Sequence, residues 1–108
     1  MCKNTKYRIS FIIHIKEGKT EEYKIRHKNI SQDMKNMLKE AGIFNYTIWL
    51  HNNMVFGYYE TNDITFTKEF KSKSKVQHQW DTYMSDIFKT DSDGERTIIY
   101  PEQVFLLE

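Results

Sequence analysis

The sequence predicts an α+β fold, with one antiparallel sheet and helices on one of its faces. Three observations carry this. Apolar residues alternate with others over 7–16, 44–50 and 54–60. They recur three or four positions apart over 20–41 and again beyond Ser74. The two kinds of segment follow one another as strand, helix, strand, strand, helix, strand, the order of a split βαβ domain.

Tyr7, Ile9, Phe11, Ile13 and Ile15 alternate with Arg8, Ser10, Ile12, His14 and Lys16, which is a strand with one buried face. "EGKT" at 17–20 is a turn, with Thr20 as N-cap and Glu21 and Glu22 in the positive first turn of a helix. That helix is expected to run to about Ala41. Tyr23, His27, Ile30, Met34, Met37, Leu38 and Ala41 share its inner face, Lys24, Lys28, Lys35 and Lys39 lie off it, and Gly42 ends it. "FNYTIWL" (44–50), turn "HNN" (51–53) and "MVFGYYE" (54–60) make a hairpin. A short helix capped by Asn62 or Asp63 falls within 61–70. Another from Ser74 carries the stripe Val76, Trp80, Tyr83, Met84 and Ile87. Residues 89–97 read as a mobile polar loop, and "EQVFLLE" (102–108) as the last strand, with Pro101 at its start.

This order is the ferredoxin-like split βαβ arrangement, over one domain spanning 1–108. Ile12, His14 and Trp49 fall opposite the main apolar rows, so both sheet faces need cover. A homodimer packed sheet on sheet supplies it, as in a dimeric α/β barrel.

Sixteen Lys and Arg face fifteen Asp and Glu, so nothing suggests a nucleic-acid partner or a membrane-binding face. The dense basic run "KEFKSKSK" (68–75) reads as a solvated helix end or loop. No apolar run approaches the ~20 residues of a membrane span, and the charged N-terminal stretch is not a signal peptide. Cys2 stands alone, excluding a disulfide framework, and the expected location is cytoplasmic. At 15%, the aromatic share is enough to fill a core and also to line a pocket for something ring-shaped.

Tyr23 and His27 are the residues that a plain core does not explain. At i and i+4 a phenol and an imidazole look into the same space, and both carry polar atoms that are costly to bury unpaired. Each taken alone reads more readily as a core residue than as a site residue. A hydroxyl-bearing ligand would satisfy the pair. His14, His51 and His78 complete no metal-ligand spacing with His27, and there is no Gly-rich phosphate loop and no G-x-S-x-G elbow.

"EEYKIRH" (21–27), "GIFNYTIWL" (42–50), "MVFGYYE" (54–60), the run from Trp80 to Phe88 with its W-x-x-Y-M, and "VFLL" near the end occur in one order and spacing. Together they resemble the L-rhamnose mutarotase family over nearly the whole chain. The resemblance implies a dimeric ferredoxin-like fold and interconversion of the α and β anomers of a 6-deoxy-L-sugar monosaccharide, with no metal or organic cofactor. It implies His27 as proton donor, Tyr23 and Tyr46 as substrate-binding tyrosines, and Trp80 as the first of two adjacent sugar-contacting tryptophans.

The chain departs from that pattern in two places. Asp81 stands where the family has its second tryptophan, and is carried as a substrate-binding residue. "KNISQDM" (28–34) replaces N-P-x-W-P-E-L, with Ser31 for the tryptophan and both prolines gone. By periodicity alone Trp80 and Tyr46 are core, and Asp81 is solvated. L-rhamnose is the first substrate, with L-fucose open. So is a dimeric ferredoxin-like barrel that binds or oxidises another small ligand.

Overall fold

The computed structural model describes residues 6–94 and 96–108, so Cys2 lies outside the described residues. In chain order the elements are β1 (Tyr7–His14), α1 (Thr20–Lys28), α2 (Gln32–Glu40), β2 (Phe44–His51), β3 (Met54–Thr61), α3 (Ile64–Lys73), α4 (Lys75–Tyr83) and β4 (Ile98–Ile99). The sheet order is β2-β3-β1-β4, every pair antiparallel. This is the ferredoxin-like arrangement that the alternating periodicities predict.

Several expectations are corrected. The helix expected over 20–41 is two helices. Asn29 closes α1, and Ser31 opens α2 by accepting the Met34 N–H on its hydroxyl at 3.1 Å. The apolar face therefore turns a corner between His27 and Met34. Thr20 does not cap α1: Lys19 occupies that position, and the Thr20 hydroxyl donates to Asn53 Oδ1 at 2.9 Å. The last strand is Ile98–Ile99, not 102–108. The ladder to β1 stops at Ile12↔Ile99, Pro101 has no N–H to continue it, and residues 101–108 are exposed and form no strand. The segment 89–97, expected as a polar loop, lies outside the helices and outside the named strands among its described residues. Thr90 and Arg96 form an isolated antiparallel bridge, and Gly94 has a φ of +79°.

The other boundaries follow local chemistry. Gly42 ends α2 with a φ of +85°, a conformation that costs a side chain but not a glycine. Asp63 caps α3 and Ser74 caps α4, each accepting a backbone N–H. Asn52, at φ +54°, makes the β2–β3 turn.

Two core clusters form under the helices. One joins Ile13, Ile15, Tyr23, Val55, Met84, Ile87 and Phe88; the other joins Met34, Met37, Ala41, Ile43 and Tyr59. Phe11 and Trp80 pack against both. The space between the clusters is where the helical stripe changes from Tyr23 and His27 to Met34.

On the opposite sheet face an apolar row crosses all four strands, since Trp49 pairs with Phe56, Phe56 with Ile12, and Ile12 with Ile99. Trp49 is 68% exposed and Ile99 45%. Tyr83 departs from its expected place in the α4 stripe. It faces solvent under Arg26, whose guanidinium lies 4.6 Å from its ring centre.

Candidate functional site

A cavity of about 120 Å³ lies between the two core clusters. Tyr23, His27, Tyr46, Trp80 and Asp81, the five residues singled out in the sequence, all line it. They come from α1, β2 and α4, so the fold assembles one site from three distant segments.

His27 is held on two sides. Its ring lies 4.1 Å from that of Tyr23, tilted by 31°, and meets Trp80 edge to face at 5.2 Å. Its Nδ1 is 3.1 Å from the Tyr23 carbonyl oxygen. A carbonyl only accepts, so Nδ1 carries the proton and Nε2 keeps its lone pair. Burial pulls the imidazole pKa below its ordinary value, opposed in part by that backbone bond. The resting side chain is thus a neutral base, ready to take a proton before it gives one. Arg26, next in the chain, anchors the same turn to the end of α4. It donates to Asp86 Oδ1 and the Tyr83 carbonyl at 2.8 Å, and to Glu22 at 2.8 Å.

Tyr46 reaches the cavity by a β-bulge. The register shifts between Phe44 and Thr47, so Asn45 and Tyr46 together oppose Tyr59. Asn45 sits at φ +50°, and its amide donates to Glu60 Oε1 at 2.9 Å. The bulge points Tyr46 inward, 5.5 Å from the Tyr59 ring and 6.4 Å from Phe11. Phe11 in turn lies across Gly57, where a Cβ would fall inside its ring. Desolvation, first of all, raises the phenol pKa of both Tyr23 and Tyr46, and a neighbouring phenol adds to it in each case. Both phenols stay protonated and able to donate.

The far end of the cavity is polar. Asp81 accepts from Gln77 Nε2 at 2.8 Å, and Arg96 lies 3.9 Å from the same carboxylate oxygen. Arg96 also stacks on Phe88 at 4.9 Å, and the Lys71 ammonium sits 5.7 Å from the Tyr59 ring centre. Desolvation lowers the Lys71 pKa, Asp81 opposes this and Arg96 adds to it. Gln77 Oε1 is buried with no hydrogen-bond partner among the described residues.

Sequence reasoning missed Tyr59, Lys71, Gln77, Arg96 and Tyr100, which also line the cavity. Lys71 belongs to the run read as a solvated helix end; half-buried, it faces the cavity instead. The period-two register of β3 places Tyr59 on the Val55 face, so that signal was present. Arg96 and Tyr100 lie in and just after a loop, where no periodicity points inward.

Among the described residues no group of three or more His, Cys, Asp or Glu could hold a metal ion. No helix among them is long and apolar enough to cross a membrane. A larger groove of about 650 Å³ between α2 and α3, floored by Met37, Phe66 and Phe70, contains no histidine and none of the five residues.

The chain matches the model of the L-rhamnose mutarotase family over residues 8–107. It is 31% identical to an L-rhamnose mutarotase of Lachnoclostridium phytofermentans, covering 94% of this chain and 98% of that one. It is 33% identical to one of Oceanobacillus iheyensis with the same coverage. The crystal structure of an L-rhamnose mutarotase from Formosa agariphila superposes with a TM-score of 0.80 at 24% identity, over 94% of this chain and 99% of that one. A putative antibiotic biosynthesis monooxygenase from Nitrosomonas europaea shares the fold at a TM-score of 0.65 and 13% identity, over 97% of this chain and 96% of that one. The chain belongs to the L-rhamnose mutarotase family.

Proposed function

We infer that this protein is a sugar mutarotase, an isomerase that interconverts the α and β anomers of L-rhamnose, with His27 as its acid–base group. Family membership supports the reaction. The observation that carries the residue assignment is the neutral, oriented imidazole of His27 on the wall of a cavity ringed by phenols.

Mutarotation opens the pyranose ring, turns the C1–C2 bond and recloses the ring on the other face of C1. Opening takes a proton from the anomeric hydroxyl and delivers one to the ring oxygen. Both oxygens are bonded to C1, so one imidazole reaches either. His27 Nε2 accepts the hydroxyl proton, the C1–O5 bond breaks as the aldehyde forms, and the imidazolium returns the proton to O5. Reclosure reverses these steps. Acid–base assistance of this kind supplies roughly 10²–10⁴-fold, about 3–5 kcal/mol, and a mild ring opening needs little more. Tyr23 and Tyr46 donate to sugar hydroxyls, Trp80 packs on the apolar C–H face of the ring, and Asp81 accepts from hydroxyls at the far end.

The working unit proposed is a homodimer in which the Trp49–Phe56–Ile12–Ile99 row of each copy covers the other. The compartment proposed is the cytoplasm, where the lone Cys2 stays reduced.

Exchange between the anomeric protons of L-rhamnose, followed by NMR with and without protein, tests the reaction. Acceleration by the wild-type chain and its loss in a folded His27→Ala variant are expected. An unaccelerated wild type overturns the activity, and a folded, fully active His27→Ala variant overturns the residue's role.

A further inference from the structure

An open cleft of about 620 Å³ adjoins the sugar cavity, and the two share Tyr59, Lys71, Gln77, Asp81, Arg96 and Tyr100 as lining. Its charge is lopsided. Arg8, Lys68, Lys71 and Arg96 line it against a single carboxylate, Asp81, in a chain whose cations and anions nearly balance. Arg8 also meets the Tyr58 hydroxyl, and lies 3.6 Å from the 80% exposed Glu108. Neither Tyr23 nor His27 lines the cleft. A ring with its anomeric carbon at His27 therefore directs its opposite carbons through the shared polar wall into the cleft.

The smaller cavity measures about 120 Å³, while the adjoining cleft has several times that volume. Beside its cations the cleft presents Tyr100, Ile64 and Pro101, surfaces suited to the C–H face of a second ring. Gln77 lines both spaces, and its buried Oε1 has no hydrogen-bond partner among the described residues. We propose that the site takes, besides the free monosaccharide, a reducing 6-deoxyhexose that carries an anionic sugar residue, a hexuronate, on the side away from its anomeric carbon, with the carboxylate held among Arg8, Lys68, Lys71 and Arg96. This proposal rests on the mutarotase reading for the orientation of the reducing ring. The space for a second ring and its apolar surfaces favour a hexuronate over a bare phosphate as the source of the charge.

The test compares kcat/KM for anomer exchange on two disaccharides with L-rhamnose at the reducing end, one carrying a neutral hexose and one a hexuronate. The wild type should prefer the hexuronyl substrate by about tenfold at low ionic strength, and the preference should shrink as salt screens the cleft. In Lys68→Glu the ratio should fall to about one. Equal rates for the two disaccharides in the wild type overturn the proposal, as does a preference that survives Lys68→Glu. L-rhamnose phosphorylated at the linkage carbon is run in parallel, and preference for it over the hexuronyl disaccharide overturns the glycan assignment. The methyl glycoside of the hexuronyl disaccharide cannot mutarotate. Its saturation-transfer signal, present with wild type and lost with Lys68→Glu, supports the cleft even if no exchange is catalysed. Absence of that signal in the wild type overturns the cleft whatever the activity.

Discussion

The imidazole of His27 and the backbone carbonyl of Tyr23 are joined by a 3.1 Å hydrogen bond, one turn apart on the same helix. That bond ties the tautomer of the base to the local helix geometry and needs no separate orienting carboxylate. The Tyr23 ring, stacked on the imidazole, is itself buried in the core among Ile13, Met84 and Phe88. Orientation of the imidazole and core packing are therefore carried by one residue, and the proposed role of His27 accounts for a tyrosine and a histidine where a helix would ordinarily place two aliphatic side chains.

A pH dependence follows from His27. Its folded pKa lies below the ordinary 6.5 because burial disfavours the imidazolium. kcat/KM should therefore be flat through neutral pH and fall on the acid side with a midpoint below 6.5. Stability should move the same way. The unfolded chain binds this proton more readily than the folded one, so His27's contribution is complete above the unfolded pKa and declines as pH falls toward the folded value. Denaturant midpoints of wild type and His27→Gln, measured between neutral and mildly acid pH, check this. The wild type should lose stability relative to the variant on acidification, and parallel profiles would count against a buried neutral imidazole.

Buried Gly57 is a second point of close packing. A methyl there meets the Phe11 ring, which spans the sheet between Tyr46 and Tyr59. Gly57→Ala should cost about 1–3 kcal/mol by overpacking and displace Phe11 toward the cavity that Tyr23 and His27 line. Urea unfolding gives the first quantity. A rise in KM without a change in the helix content seen by circular dichroism gives the second.

How much of this was legible in the sequence depends on periodicity. Alternation in β1 and β3 gave the strands and their buried faces, and Gly42, Asp63 and Ser74 marked helix ends by their own chemistry. The break between α1 and α2 was not seen, because Ile30 continues the apolar spacing across it. The signal was Ser31 as an N-cap three residues before Met34. The final strand was misplaced because "VFLL" is a short apolar run with the composition of a strand, yet Ile98 and Ile99 are the residues that reach β1. The five residues named at the site do share one cavity, but Tyr46 and Trp80 were raised above core readings only by the family pattern. Arg96, which reaches the cavity from a loop, had no period to reveal it.

Assembly gives a third prediction. The proposed homodimer would bury the continuous Trp49–Phe56–Ile12–Ile99 row. Sedimentation at micromolar concentration should give a dimer, and Trp49→Glu should shift it to monomer. A monomeric wild type would remove the second sheet.

Asp81 is the last and most specific test, because it is where the chain leaves its family's pattern. Its carboxylate lines the cavity and is fixed by Gln77 and Arg96. A carboxylate accepts two or more hydrogen bonds and can hold adjacent sugar hydroxyls, whereas a tryptophan offers a flat wall and one donor. Hydroxyl stereochemistry is what separates L-rhamnose from L-fucose, and a site built to bond a hydroxyl discriminates more strongly than an apolar wall. Asp81→Trp should therefore change the ratio of anomer-exchange rates for these two sugars by about tenfold, the scale of one charge-assisted hydrogen bond. It also leaves Lys71 and Arg96 without their shared counter-charge, so the variant should bind anions more readily than the wild type. Equal rate ratios in wild type and Asp81→Trp, measured by anomeric proton exchange on both sugars, would strike Asp81 from the site.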